Sequence, residues 1–213
     1  MKLAVCLALS AGLATPLRPA FLVTRTMNGV RLRMTGIDAQ SLHLFVVGGP
    51  GLRLFRHERL DPQRDGSFAV DLAVADAGLY MAFAEFVPAR ASPQMAQQAF
   101  TVGSVLAPRP SEPADETHES NGLSATMDAS QATSGRESPL AFDLSEPPAG
   151  AMPEAFVVSA DLTEAQHLSA QSTSRGPHVV FAPVFPRSGR YKVWLIVQRD
   201  GSTAAIPFVI SVS

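Results

Sequence analysis

The chain has almost no cysteine. Cys6 is the single one among 213 residues. It lies in the opening stretch MKLAVCLALSAGLATPLRP, where a lysine precedes an apolar run from Leu3 to Ala14 and then proline. That is the pattern of a short secretory signal, with the small residues Gly12 to Ala14 where a signal peptidase cuts. Its removal would leave no thiol, and so no disulfide, no thiolate catalysis and no cysteine-ligated zinc. Two other readings of the stretch stand beside this one: a buried first strand, or a start codon placed too early. The tetrapeptide LAVC also has the form of a lipoprotein box, but it leaves no room for an apolar region before it. Long apolar runs are missing too. The leader is shorter than the roughly 20 residues a membrane-spanning helix needs, so a mature chain is not expected to be transmembrane.

Clustered positive charge is absent. Lysine and arginine total 17 against 19 acidic residues, a formal net charge of −2. Neutralising a phosphate backbone takes a local basic excess, so no nucleic-acid partner is expected. No segment shows a helical apolar stripe with caps, and many of the 17 prolines fall between apolar runs, which favours short strands. Catalytic signatures are lacking as well. There is no nucleophile elbow and no glycine-rich phosphate loop, since GGPG (Gly48 to Gly51) joins two strand patterns without opening a helix. Asp61, Asp65 and Asp71 are too scattered for a calcium loop. A protein that is not an enzyme is expected.

What is present is apolar patterning, repeated twice. The stretch from Leu44 to Tyr80 aligns with that from Ala155 to Tyr191. Phe45-Val46-Val47 meets Phe156-Val157-Val158, His57 meets His167 after a one-residue slip, and Gly66 meets Gly176. Gly78-Leu79-Tyr80 meets Gly189-Arg190-Tyr191. Each copy then continues into an apolar strand, a turn and a closing strand. Within the copies the period is two. Val30, Leu32 and Met34 alternate with Arg31 and Arg33. Phe68, Val70, Leu72 and Val74 share a face, as do Tyr191, Val193, Leu195 and Val197.

Between the copies the composition shifts to Ser, Pro, Glu, Asp and Thr, which cannot bury enough surface to offset chain entropy. Residues 105–135 are therefore expected to be a mobile linker. His118, among Asp115, Glu116 and Glu119, reads as part of a solvated acidic run, with a loose metal-binding tract as the alternative.

DAGLY (Asp76 to Tyr80) and RSGRY (Arg187 to Tyr191) look like the tyrosine corner of immunoglobulin-type sandwiches. There a tyrosine hydroxyl bonds back to the loop before its strand. Tyr80 and Tyr191 are thus structural candidates. Phe83 and Trp194 follow three residues beyond each tyrosine, on the face opposite the inward set. They are expected to form a contact surface toward the other repeat or a partner, or else to be covered within their own sandwich.

Several segments together resemble a family of exported bacterial two-repeat proteins of uncharacterised function. Its repeats run as FxHxHP followed by FPxPGxYrlw. The first repeat here offers SLHLFVV (Ser41 to Val47), RLFRHERLDP (Arg53 to Pro62), RDGSF (Arg64 to Phe68) and LYMAFAEFVP (Leu79 to Pro88). The second offers GAMPEAFVVSADL (Gly150 to Leu162), RGPHVVFAPVFPRSGRYKVWLIVQRDG (Arg175 to Gly201) and IPFVISV (Ile206 to Val212). The resemblance implies immunoglobulin-like repeats and a histidine-rich site for copper or zinc. Arg59 and Ser169 replace the second histidine of each motif, which leaves His43 and His57 in the first repeat and Glu154 and His167 in the second. These residues either satisfy sheet-end hydrogen bonds or form a weak residual site. Such a site would lose metal as protons compete for imidazole nitrogen near a pH of roughly 6.5.

The expected architecture is all-β: two tandem immunoglobulin-like antiparallel β-sandwiches. The leader would occupy residues 1–19, the first sandwich 20–104 and the second 136–213. The expected role is a non-enzymatic module in the periplasm or secreted, contacting a protein or cell-envelope partner. The alternative is weak handling of copper or zinc.

Overall fold

The structure, a computed structural model, describes residues 18–89, 91–103, 117–171, 176–199 and 201–213. Cys6 and nearly all of the expected leader lie outside the described residues. Among the described residues the chain forms fifteen strands and a single 3-10 turn, Pro50–Leu52. The strands make four sheets. The first has the order β1 (Ala20–Thr26), β2 (Gly29–Thr35), β5 (Phe68–Ala73). The second runs β4 (Leu54–Leu60), β3 (Leu42–Gly48), β6 (Gly78–Phe86), β7 (Gln94–Val102). The third runs β13 (His178–Phe181), β10 (Leu140–Leu144), β9 (Leu123–Asp128), β8 (Thr117–Ser120). The fourth runs β12 (Ala165–Ser169), β11 (Glu154–Ser159), β14 (Gly189–Arg199), β15 (Ser202–Val212).

The chain gathers into two compact units. One takes the residues up to Phe45 together with Arg56–Ala75 and Ala82–Phe100. The other takes Val46–Phe55, Asp76–Met81 and Thr101–Ser213.

In the first unit, alternation sets the sheet β1-β2-β5. Val30, Leu32 and Met34 are buried and pair across to Leu72, Val70 and Phe68. Between them Arg31 and Arg33 point outward. Arg31 donates from Nε to Asp71 at 2.8 Å, and Arg33 reaches Asp65 and Ser67. A hairpin joins β1 to β2, and Gly29 closes it with φ +154. A Cβ there would overlap the Leu72 carbonyl oxygen and crowd the Val74 nitrogen, so only glycine lets the strands approach.

The core of the second unit sits between the third and fourth sheets. Leu123, Ala125 and Met127 of β9 and Leu140, Phe142 and Leu144 of β10 face Val193, Leu195 and Val197 of β14 and Ile206, Phe208 and Ile210 of β15. Phe142 meets Phe181 and Phe208 edge-on at 5.7 and 5.3 Å, the arrangement aromatic quadrupoles favour. At one rim Asn121 donates from its amide to the Thr203 carbonyl at 3.0 Å. At another, the Gln166 amide donates to Val184 O at 2.6 Å and accepts from Val184 N at 3.1 Å.

Two strands of this core lie where a linker is expected. The segment 117–135 is not a mobile tether: β8 and β9 form a hairpin whose loop is Asn121-Gly122, both at positive φ. That is the two-residue turn asparagine-glycine favours. Few large apolar residues are needed here, because Leu123, Ala125 and Met127 fall at alternate positions and all three are buried. His118 belongs to β8, where its ring sits edge-on to Phe208 at 5.1 Å. It is an edge-strand residue rather than part of a solvated acidic run.

Candidate functional site

Three groups of chemistry-bearing side chains are built by these sheets. The first lies in the first unit. Extended strands present alternate side chains on one face, and His43 of β3 and His57 of β4 meet there. Nδ1 of His43 lies 2.9 Å from Nε2 of His57, the ring centroids are 5.1 Å apart, and Phe45 stacks on His57 at 4.4 Å. At that separation one imidazole donates a proton to the lone pair of the other, so the two hold opposite tautomers at the contact. A tetrahedral zinc at about 2.0 Å from each nitrogen would hold them about 3.3 Å apart. A small spreading would therefore convert the hydrogen bond into a two-nitrogen ligand pair.

The second group lies on the fourth sheet. Phe156 pairs with His167, and Glu154 pairs with Ser169, so Glu154 and His167 are diagonal neighbours. Nε2 of His167 lies 3.4 Å from Oε2 of Glu154. This contact couples a carboxylate to an imidazole that is largely out of solvent. It joins the two second-repeat candidates into one pair, with a harder donor set than the first.

The third group surrounds the second tyrosine corner, and apart from Tyr191 the sequence reading does not single out its members. Tyr80 donates its hydroxyl to Asp76 O at 2.7 Å, and Tyr191 lies 3.0 Å from Arg187 O. Tyr191 also reaches Glu164 Oε2 at 2.8 Å. Arg187 binds Asp161 through Nη2 at 2.7 and 2.6 Å and Glu164 through Nε at 2.9 Å. Ser159 and Thr163 hydroxyls donate to Asp161 at 2.7 and 2.8 Å. The Arg187 guanidinium, then the Ser159 hydroxyl, hold the Asp161 carboxyl well below the usual carboxylate range. The same carboxylates push Arg187 up. Burial, then Glu164, pushes the Tyr191 phenol up, so it stays protonated at neutral pH. A cleft of about 230 Å³ opens between the Ser159–Asp161 and Arg187–Tyr191 stretches. An anion entering it would meet a guanidinium already engaged by two carboxylates, so the network holds a loop rather than offering a charge. A signal for it exists in the sequence: Asp161 and Glu164 flank a short turn, and Arg187 opens the RSGRY corner.

Both rings of the aromatic pair are covered. Phe83 is fully buried and Trp194 is 3% exposed. Trp194 lies on the face of β14 away from the core, as its alternation requires. There Phe55 stacks on it at 4.6 Å and 12°, Phe156 approaches at 6.5 Å, and the Lys192 ammonium sits 5.7 Å from the ring centre.

A family profile described as "Domain of unknown function (DUF8832)" matches residues 118–213. Its start at His118 falls within β8, one residue after that strand begins. No curated protein matches the chain. Two solved structures align with it at 13% identity. One is a two fibronectin type-III domain segment from chicken tenascin, covering 90% of this chain and 97% of that chain at a TM-score of 0.29. The other is a tetra-tandem repeat in the extending region of a large adhesion protein, covering 92% of this chain and 50% of that chain at 0.33. The sheets themselves define the fold. The chain is an all-β protein of tandem immunoglobulin-like antiparallel sandwiches, and its stretch from His118 to Ser213 is similar to a family of unknown function.

Proposed function

We propose that this protein is a non-enzymatic binding or accessory module acting outside the cytoplasm, as the exported two-repeat family it resembles implies. It contacts a protein or envelope component through sandwich edges and loops. The observation that carries this reading is how the polar side chains are used. Tyr80, Tyr191, Asp161, Glu164 and Arg187 are bonded to one another or to backbone at strand ends, so they hold loops in place for recognition. The leader pattern at the N-terminus supports export, and no helix among the described residues is long and apolar enough to cross a membrane. Affinity capture from envelope extract, run beside cytosolic extract, tests the reading. A specific envelope protein retained at stoichiometric yield supports it, and equal background from both extracts sinks it.

A second reading is favoured by the 2.9 Å approach of His43 and His57. Here the pair binds Cu(II) or Zn(II) weakly. The test is titration of tag-free protein against the His43→Ala, His57→Ala variant. Equal binding by both proteins would assign the pair a structural role.

A further inference from the structure

Asparagine is nearly absent from this chain. It occurs twice in 213 residues, as Asn28 and Asn121, and glycine follows it both times. Both pairs stand at hairpin tips. Thr26 pairs with Gly29 around Met27-Asn28, and Ser120 pairs with Leu123 around Asn121-Gly122. The two tips hold their asparagine differently. Asn121 donates from its side-chain amide to Thr203 O at 3.0 Å, and the Arg199 guanidinium approaches Gly122 O at 3.5 Å. Asn121 and Gly122 are also fixed at positive φ. Asn28 is exposed beside the fully exposed Met27, and among the described residues nothing bonds its amide.

We infer that Asn28-Gly29 is a self-modification site, at which the chain converts Asn28 to aspartate and isoaspartate without an enzyme. The reaction needs a side-chain amide carbon within reach of the next peptide nitrogen. Glycine, with no Cβ, leaves that nitrogen uncovered. The Gly29 nitrogen loses its proton to solvent and attacks Cγ of Asn28. The new N–Cγ bond closes a five-membered succinimide. The Cγ–Nδ2 bond breaks, and Nδ2 takes up a proton and leaves as ammonia. Water then opens the ring at either carbonyl. One opening leaves aspartate; the other leaves isoaspartate, whose main chain runs through the side chain. The sum is one water consumed and one ammonia released, with no oxidant or cofactor.

At Asn28 the side chain swings onto Gly29 without giving up a bond. It needs only fraying of the tip, a local opening of the kind that exposed segments undergo most readily. Asn121 must first release Thr203 O, and a hydrogen bond of ordinary net strength slows it by roughly threefold to tenfold. Isoaspartate also adds a methylene to the main chain just before Gly29, where even a Cβ would overlap Leu72 O. The closing pair of β1 and β2 is then lost. The site stands apart from any envelope partner, since the reaction needs only this chain and water.

The test is incubation of the folded full chain in mildly alkaline buffer, then tryptic digestion and mass spectrometry. Cleavage after Arg25 and Arg31 isolates Thr26 to Arg31 as one peptide, and a zero-time digest subtracts conversion during handling. That peptide should gain the mass of hydroxyl replacing amide and split into aspartate and isoaspartate forms. The rate should rise with pH, because the ionised nitrogen is the nucleophile. The Asn121 peptide should lag by at least about threefold. In urea the two should convert at matching rates, since both are Asn-Gly. Asn28→Gln, whose longer side chain closes a six-membered ring only slowly, should abolish the early ammonia release. No conversion at Asn28 in the folded chain overturns the inference, as does Asn121 keeping pace with it. A lag of Asn121 that persists in urea, or ammonia release unchanged by Asn28→Gln, overturns it too.

Discussion

Replacing Tyr191 with phenylalanine removes one oxygen and leaves the packing intact. The ring is 2% exposed and sits edge-on to Phe185 at 4.9 Å, so phenylalanine fills the same space and no cavity opens. The hydroxyl has one proton and two acceptors, Glu164 Oε2 at 2.8 Å and Arg187 O at 3.0 Å. The shorter, charged acceptor takes it, because a hydrogen bond to an ionised group is about twice as strong as a neutral one. Bonds of that kind contribute about 1.5–3 kcal/mol. Glu164 is a quarter exposed and also receives Arg187 Nε, so solvent and the guanidinium cover part of the loss. The lower end, about 1.5 kcal/mol, is the expected cost. Trp194 is the chain's single tryptophan and is buried against Phe55, so its emission reports the unit that holds the corner. With a urea slope of about 1.5 kcal/mol per molar, the midpoint should fall by about 1 M. Glu164→Gln measured alone and with Tyr191→Phe closes the cycle, and the pair should couple by about 1 kcal/mol. A midpoint shift below about 0.3 M, or strict additivity of the two changes, would refute this account of the corner.

Leu123→Ala should destabilise by about 2–4 kcal/mol, read by the same tryptophan signal. A mobile tether would give no change, so this substitution tests directly whether β9 belongs to the core. Gly29→Ala should lower the melting temperature by several degrees, through about 1–3 kcal/mol of overpacking against Leu72. Gly66→Ala, at a position with open space around it, isolates the backbone contribution for comparison. Asp65 is held at about 2 by the Ser67 hydroxyl and amide and by Arg33. Its folded value lies below the ordinary one, so its stabilising contribution is complete above about pH 4 and is lost as pH falls toward about 2. Thermal melts between pH 5 and 2 should therefore be less pH-dependent in Asp65→Asn; an unchanged slope would remove Asp65 from the acid response.

Much of the fold was legible because a half-buried strand advertises its faces. Val30, Leu32 and Met34 were read as inward from alternation alone and are buried. The corner motifs placed Tyr80 and Tyr191 beside the carbonyls their hydroxyls approach. The stretch from 117 to 135 has the composition of a tether, yet its turn chemistry decides its structure. A single Asn121-Gly122 between alternating small and apolar residues specifies a hairpin, however polar its surroundings. Trp194 shows a different limit. Alternation told which side of β14 it occupies, but nothing in a period of two says what lies over the outer side; Phe55 comes from more than a hundred residues away in sequence. The approach of His43 to His57 followed from their expected placement on neighbouring strands. The web around Arg187 has a fainter signal, a short turn flanked by Asp161 and Glu164 and an arginine opening RSGRY, because the three meet only through the closing of a loop.

Gln166 shows what one side chain can do for a sheet's border. Val184 bridges Glu137 through its backbone on one side, and on the other its N–H and C=O are both met by the Gln166 amide. The side chain thus impersonates a peptide unit of a strand that is not there. It occupies the carbonyl and the amide of Val184, whose side chain stays exposed, and so caps growth of the sheet at that point. Asparagine, one methylene shorter, would not span both atoms, and glutamate would repel the carbonyl it must meet. The border is sealed by the length and dual polarity of a single amide.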